Sequence, residues 1–245
     1  MTWILLRGLS RCSLHWGAFV PRMKAFAEGP VVTIDLPGFG TCRHLESPTR
    51  IADIAEHVYN EIRNQGLNQV AILGISLGGM VATELAHRHP DMVRRLVLIN
   101  TSCRSFSTLD QRLKPNVLTH LLLAFIQGNR QREQRIFDLT SNHRMQPEST
   151  IEAWLRIHQE HPCKRMAVAN QIIAAGRYQG HALPPCDRTL VLCSQQDRLV
   201  HPASSITMAR AWGMPCVIHP TAGHDLPLDD PSWVIEQIRQ WQSLP

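Results

Sequence analysis

Short apolar runs recur along the chain, each bounded by turn residues: Trp3–Leu6, Val31–Leu36, Val70–Gly74, Leu96–Asn100, Thr189–Cys193 and Cys216–Ile218. They are rich in Val, Ile and Leu and do not alternate with polar residues. That pattern suits strands covered on both faces, as in a parallel sheet. Between them the apolar period lengthens. Ile51, Ile54, Ala55, Val58, Tyr59 and Ile62 fall on one face of a helix. Ser47 and Pro48 read as the entry to that helix and Gly66 as its stop. Strand–helix alternation at this spacing predicts an α/β fold with a doubly wound, mostly parallel sheet of about six strands.

One region breaks the alternation. From Arg104 to Gly180 only helical periods are visible: Leu113–Ile126, Arg132–Thr140, Ile151–His158 and Lys164–Ala175. The stretch is too long for a loop, so it is read as a helical insertion following the strand that ends at Asn100. The expected organisation is a core formed by residues 1–103 and 181–245, with residues 104–180 as a cap.

Composition narrows the class. The 245 residues are 44% hydrophobic and 18% charged, enough to bury a large core and unlike disordered or fibrous chains. The longest apolar stretch, around Leu121–Ile126, falls far short of the roughly 20 residues that cross a bilayer. Met1–Leu6 has no basic region ahead of it and meets Arg7 early, so no signal peptide is expected. Seven cysteines without CxxC spacing read as free thiols in a reducing cytoplasm, not as a disulfide or zinc framework. The formal charge of +5 is unevenly placed. Residues 104–180 hold 11 Lys and Arg against 6 Asp and Glu, while the rest of the chain has 14 of each. These arginines lack interleaved aromatic residues, so nucleic acid is not an expected partner.

The sharpest chemical signal is Gly74-Ile75-Ser76-Leu77-Gly78, where a buried strand meets a helix carrying Val81, Leu85 and Ala86 on one face. A serine hydroxyl is a weak nucleophile unless it is exposed beside a base. A strained strand-to-helix turn lifts it clear of the sheet, with Gly74 and Gly78 giving the turn room. The helix start offers the Leu77 N–H to a developing oxyanion. Asp197 follows the strand Thr189–Cys193, and His224 follows the next strand in Ala222-Gly223-His224. The order Ser, Asp, His is that of a hydrolase triad in this kind of fold. His219 lies too near its strand end to serve as the base, and His87 and His89 read as helix-end residues. After the first strand, Gly8 allows close backbone approach and Leu9 offers a second oxyanion N–H. Asp35, in Asp35-Leu-Pro-Gly-Phe-Gly40, is assigned a structural role.

On Ile34–Gly40, Gly74–Gly79, Asp197 and Ala222–His224 the chain resembles the α/β-hydrolases of the group that includes pimeloyl-carrier-protein methyl esterase, small carboxylesterases and carbon–carbon hydrolases. The resemblance runs from the first strand to the last helix. It implies Ser76 as nucleophile, His224 as base, Asp197 as orienting acid, Leu9 and Leu77 as oxyanion donors, and residues 104–180 as a lid. It also implies an enzyme that needs neither metal nor cofactor. Two departures stand out. The usual leading hairpin is missing, and Arg7-Gly8 stands where the family has His-Gly. Arg7 is then either a packed replacement or, with Gly8, a substrate contact that places a cation near the acyl site. The expected reaction is hydrolysis of an ester or thioester of a small or medium acyl group. The alternatives are hydrolysis of a carbon–carbon bond in dienone-type acids, or a non-catalytic ligand receptor on the same scaffold. The charge on the cap suggests a further partner, an acidic acyl carrier protein docking on Arg130, Arg132, Arg135 or Arg156.

Overall fold

The computed structural model describes residues 1–115, 117, 119–120, 127–143 and 147–244. The helical period Leu113–Ile126 therefore lies largely outside the described residues, as does the whole apolar run Leu121–Ile126. Six strands, β1 (Thr2–Leu6), β2 (Val31–Ile34), β3 (Val70–Ile75), β4 (Val93–Ile99), β5 (Thr189–Ser194) and β6 (Cys216–His219), form one sheet in the order β2-β1-β3-β4-β5-β6. Every pairing is parallel.

The non-alternating runs have a simple cause: alternate residues of each central strand enter different cores. Ile4, Leu6, Ile72 and Leu98 pack on one face against α2 (Ile51–Asn64), α3 (Leu77–Arg88) and α8 (Ala203–Trp212). Trp3, Leu5, Leu73 and Val97 pack on the other against α1 (Phe19–Phe26) and α10 (Pro231–Gln242). Neither face of these strands meets water, so neither can carry polar residues. The order in which successive strands are added switches direction between β1 and β3, which is where an open parallel sheet opens a crevice at its carboxyl edge. Gly8 follows β1 and Ser76 follows β3 at that edge.

Between β4 and β5 the described elements are helical: α4 (Leu109–Arg112), α5 (Asn129–Thr140), α6 (Pro147–Glu160) and α7 (Arg165–Arg177). Phe137, Ile151 and Trp154 give this region a small apolar cluster of its own. The short helix α9 (Leu226–Asp229) precedes α10, whose start is capped by Asp230 accepting from Trp233 N.

The start of α2 differs from the local signal. The helix begins at Ile51, after Arg50 in an extended conformation, and Ser47 and Pro48 lie outside it. The reason is tertiary. Ser47 is buried, and its carbonyl accepts from Asn170 Nδ2 on α7 at 2.8 Å, so this backbone serves an interhelical contact and not a cap. All seven cysteines are free thiols. Among the described residues no helix is long and apolar enough to cross a membrane.

Candidate active site

Ser76 sits between β3 and α3 with φ 54° and ψ −118°, a backbone conformation that costs a non-glycine residue about 1–3 kcal/mol. The surroundings hold it there. Ser76 N donates to Ile99 O at 2.8 Å, and Thr101 Oγ1 donates to Ser76 O at 2.8 Å. A Cβ on Gly74 would lie 2.4 Å from Gly78 O, and one on Gly78 would lie 2.4 Å from Leu6 O. Both glycines are thus required by backbone contact. Gly8 lies against the serine itself: a Cβ there would be 3.2 Å from Ser76 Cβ and 3.8 Å from its Oγ.

Asp197 and His224 meet across the loops after β5 and β6. His224 Nδ1 is 2.7 Å from Asp197 Oδ2, and both residues are buried. The other carboxylate oxygen, Oδ1, accepts from Leu199 N at 2.7 Å and Val200 N at 3.0 Å. Lys114 Nζ donates to the Asp197 carbonyl. Carboxylate and ring are therefore oriented by neighbours on several sides.

A cavity of about 380 Å³ opens over this edge. Ser76, Leu77, Gly8, Leu9, Arg7 and His224 all line it, with walls that include Phe39, Ile75, Met80, Leu139, Ile157 and Val168. Asp197 stands behind His224, and Gly74 and Gly78 stand behind the serine. Two polar residues near the site engage backbone N–H groups. Asp35 accepts from Ser13 N and from Thr41 N and Oγ1, a structural role. His219 Nδ1 accepts from Thr221 N and Ala222 N, shaping the turn that leads to His224.

Several site residues carry no local signature. Asn100, at φ 47°, donates to the His224 carbonyl at 2.8 Å and accepts from Ser194 N at 2.8 Å, tying β4, β5 and the histidine loop together. Asp229 accepts from Gly223 N and Asn142 N. Arg7 donates from Nη1 and Nη2 to the two oxygens of Asp225, at 3.0 and 2.5 Å, and its guanidinium lies 4.8 Å from the Trp16 ring centre. Burial works to raise the Asp225 carboxyl pKa, but the charge and hydrogen bonds of Arg7 outweigh it and leave the pKa below the usual range. Ser10 N donates to Gln171 Oε1 on α7 at 2.9 Å. Arg11 pairs with Glu133 on α5 at 2.7 Å and stacks 4.0 Å from the Trp154 ring centre.

Cys12 and His15 form a sulfur–imidazole contact, 3.3 Å between Sγ and Nδ1, also lining the cavity. It lacks the electrostatics of a nucleophile–base pair. Burial and then Asp35 push the thiol up to about 11, and burial followed by Arg11 and Arg7 holds the imidazole well below its usual range. Thiolate and imidazolium are both disfavoured.

A profile of the alpha/beta hydrolase family matches residues 3–237. A biotin biosynthesis bifunctional protein BioHC of Teredinibacter turnerae is 38% identical over 101 residues, 40% of this chain and 17% of that protein. A pimeloyl-[acyl-carrier protein] methyl ester esterase of Vibrio vulnificus is 31% identical over 117 residues, 47% of this chain and 43% of the esterase. These matches span less than half of either relative. A 2-succinyl-6-hydroxy-2,4-cyclohexadiene-1-carboxylate synthase of Pectobacterium atrosepticum is 25% identical over 99% of this chain and 94% of its own. Among solved structures, the esterase RhEst1 from Rhodococcus sp. ECU1013 superposes with a TM-score of 0.81 at 18% identity, covering 100% of this chain and 91% of that one. With an all-parallel six-stranded sheet and a family match over nearly its whole length, the chain is an enzyme of the alpha/beta hydrolase family.

Proposed function

We propose that the protein is a serine hydrolase cleaving esters or thioesters of small or medium acyl groups. The observation that carries this reading is the 2.7 Å His224–Asp197 pair, buried beside the cavity that the strained Ser76 also lines. Ser76 Oγ attacks the acyl carbonyl carbon while His224 takes the hydroxyl proton, and Asp197 orients the ring and stabilises the imidazolium. The tetrahedral oxyanion is held by the Leu9 and Leu77 amides. The bond to the leaving group breaks as His224 returns the proton to the departing alcohol or thiol. Water, deprotonated by the same histidine, then attacks the acyl-enzyme, and the acid leaves as Ser76 recovers its proton. Residues 104–180 act as the cap over this pocket, and residues 1–103 and 181–245 as the catalytic core. The free thiols suit a cytoplasmic enzyme.

The named activity of the Vibrio relative supports acyl-carrier-borne substrates, with the carrier approaching the basic cap. Of the candidate docking residues, Arg130 pairs with Glu148 and Glu152, Arg132 pairs with Glu133, and Arg135 donates to Gln127. Arg156 is exposed. The near full-length match to the Pectobacterium synthase supports a second reading, carbon–carbon cleavage of a dienone-type acid.

Turnover of p-nitrophenyl butyrate, a carrier-linked ester and a vinylogous diketone acid separates these readings. Ester cleavage that falls on the order of 10⁶-fold in Ser76→Ala, with fluorophosphonate labelling at Ser76 of the wild type, is the expected result. Ester turnover surviving Ser76→Ala, or no labelling at Ser76, would overturn the serine hydrolase reading.

A further inference from the structure

A buried ion pair joins the two loops on which the proposed chemistry depends. Arg7 immediately precedes Gly8 and Leu9, the oxyanion loop, and Asp225 immediately follows His224. Their side chains meet in a two-pronged contact at 3.0 and 2.5 Å, each about 5% exposed. Such a fork fixes both distance and orientation. Buried ion pairs are poor sources of stability, because desolvation offsets most of the attraction. This one therefore calls for a reason beyond holding the fold together.

Its placement supplies one. Among the described residues, the charged groups around His224 include Asp197, hydrogen-bonded to its ring; Asp225, next in the chain; Arg7 and Arg11 from the loop after β1; Lys114 at the Asp197 carbonyl; Asp229, bound to Gly223 N; and, along the same cavity, Arg132 and Glu133. Arg11 is neutralised by Glu133. An unpaired Asp225 carboxylate would favour the imidazolium and keep the base protonated. An unpaired Arg7 would do the opposite and would also be free to bind anions at the cavity wall.

We infer that Arg7 and Asp225 are a positioning pair, which holds the oxyanion loop at a fixed spacing from the histidine loop and neutralises the carboxylate beside the base. Arg7 is then the working partner of an aspartate 218 residues away. The inference rests on the serine hydrolase reading.

The test is a pH profile of kcat/KM for p-nitrophenyl butyrate, and of the rate of fluorophosphonate labelling, in Arg7→Met, Asp225→Asn and the double variant. Arg7→Met moves the acid limb up by about one pH unit and Asp225→Asn moves it down by a similar amount. The double variant returns the limb to within a few tenths of a unit of wild type. Each single variant lowers kcat about tenfold, and KM changes much less. Opposite shifts that cancel are not produced by loosened packing. Single-variant profiles that superimpose on the wild type, or that shift in the same direction, would overturn the inference. If Arg7→Met fails to fold, a downward shift in Asp225→Asn that is absent from the double variant supports the pair, and its presence in both overturns it. A wild type unlabelled at Ser76 would sink the hydrolase reading and this inference with it. Normal labelling with unmoved profiles sinks the pair alone.

Discussion

Asp197→Asn is the most diagnostic single change at the candidate site, because the structure dictates how the new amide must turn. Oδ1 of Asp197 accepts from Leu199 N and Val200 N, at 2.7 and 3.0 Å. Asparagine has one accepting oxygen and one donating NH₂. If its NH₂ faced the two backbone N–H groups, donors would oppose donors in a buried site, so the oxygen must stay there. The NH₂ then occupies the Oδ2 position, 2.7 Å from His224 Nδ1. That ring nitrogen is forced to accept, the imidazole proton moves to Nε2, and the nitrogen meant to take the Ser76 proton already carries one. The expected loss is on the order of 10⁴ in kcat, or about 5.4 kcal/mol of transition-state stabilisation. KM should hardly move, since the cavity lining is unchanged, and the side chains are nearly isosteric, so the thermal midpoint should stay within a few degrees. The assay is steady-state hydrolysis of p-nitrophenyl butyrate with fluorophosphonate labelling run in parallel. If kcat falls less than tenfold while the variant remains folded, Asp197 does not set the histidine tautomer and the proposed acid is wrong.

Two further predictions concern the scaffold of the site. A Cβ at Gly74 would lie 2.4 Å from Gly78 O and 2.8 Å from Gly79 N, both backbone atoms with no room to yield. Gly74→Ala should therefore cost about 2 kcal/mol, lower the melting midpoint by roughly 4–8 °C and abolish Ser76 labelling; a wild-type melt with normal labelling would refute the contact. Asp225 and Glu133 both have pKa values below the usual range, because the arginines beside them outweigh burial. A depressed folded-state pKa contributes stability that is present above the unfolded values, about 4, and lost as pH falls through the folded ones. Urea unfolding should thus show wild-type stability dropping below about pH 4, with a shallower drop in the Arg7→Met/Asp225→Asn double variant; identical slopes would show that the pair is not linked to acid unfolding.

What could be read from the sequence, and what could not, divides along the range of the interactions involved. The strands were legible because burial on both faces removes polar residues from a short local run, as in Val70–Ile75. The elbow was legible because its glycine–serine–glycine spacing is a local pattern and Gly74 is demanded by Gly78 close by in the chain, although Gly78 itself is demanded by the distant carbonyls of Leu6 and Arg7. Ser47 and Pro48 misled because a long-range bond from Asn170 claims the backbone that local rules assign to the start of α2. Net charge says how much but not where. The excess of +5 in residues 104–180 is a correct count, and the fold decides which cations are engaged: Arg130 and Arg132 face glutamates, and Arg112 donates to the carbonyls of Ala175 and Gly176. Exposed Arg104, Arg156, Lys164 and Arg165 carry more of the segment's charge to its surface. Arg7 is the extreme case. Read locally it is a departure from a His-Gly pattern, with no means of choosing between packing and substrate binding. Only when the sheet brings the ends of β1 and β6 to the same edge does Asp225 arrive beside it. Both terminal nitrogens of Arg7 then have a carboxylate partner inside the chain, so a substrate anion would have to compete with a buried, two-pronged ion pair for the same guanidinium.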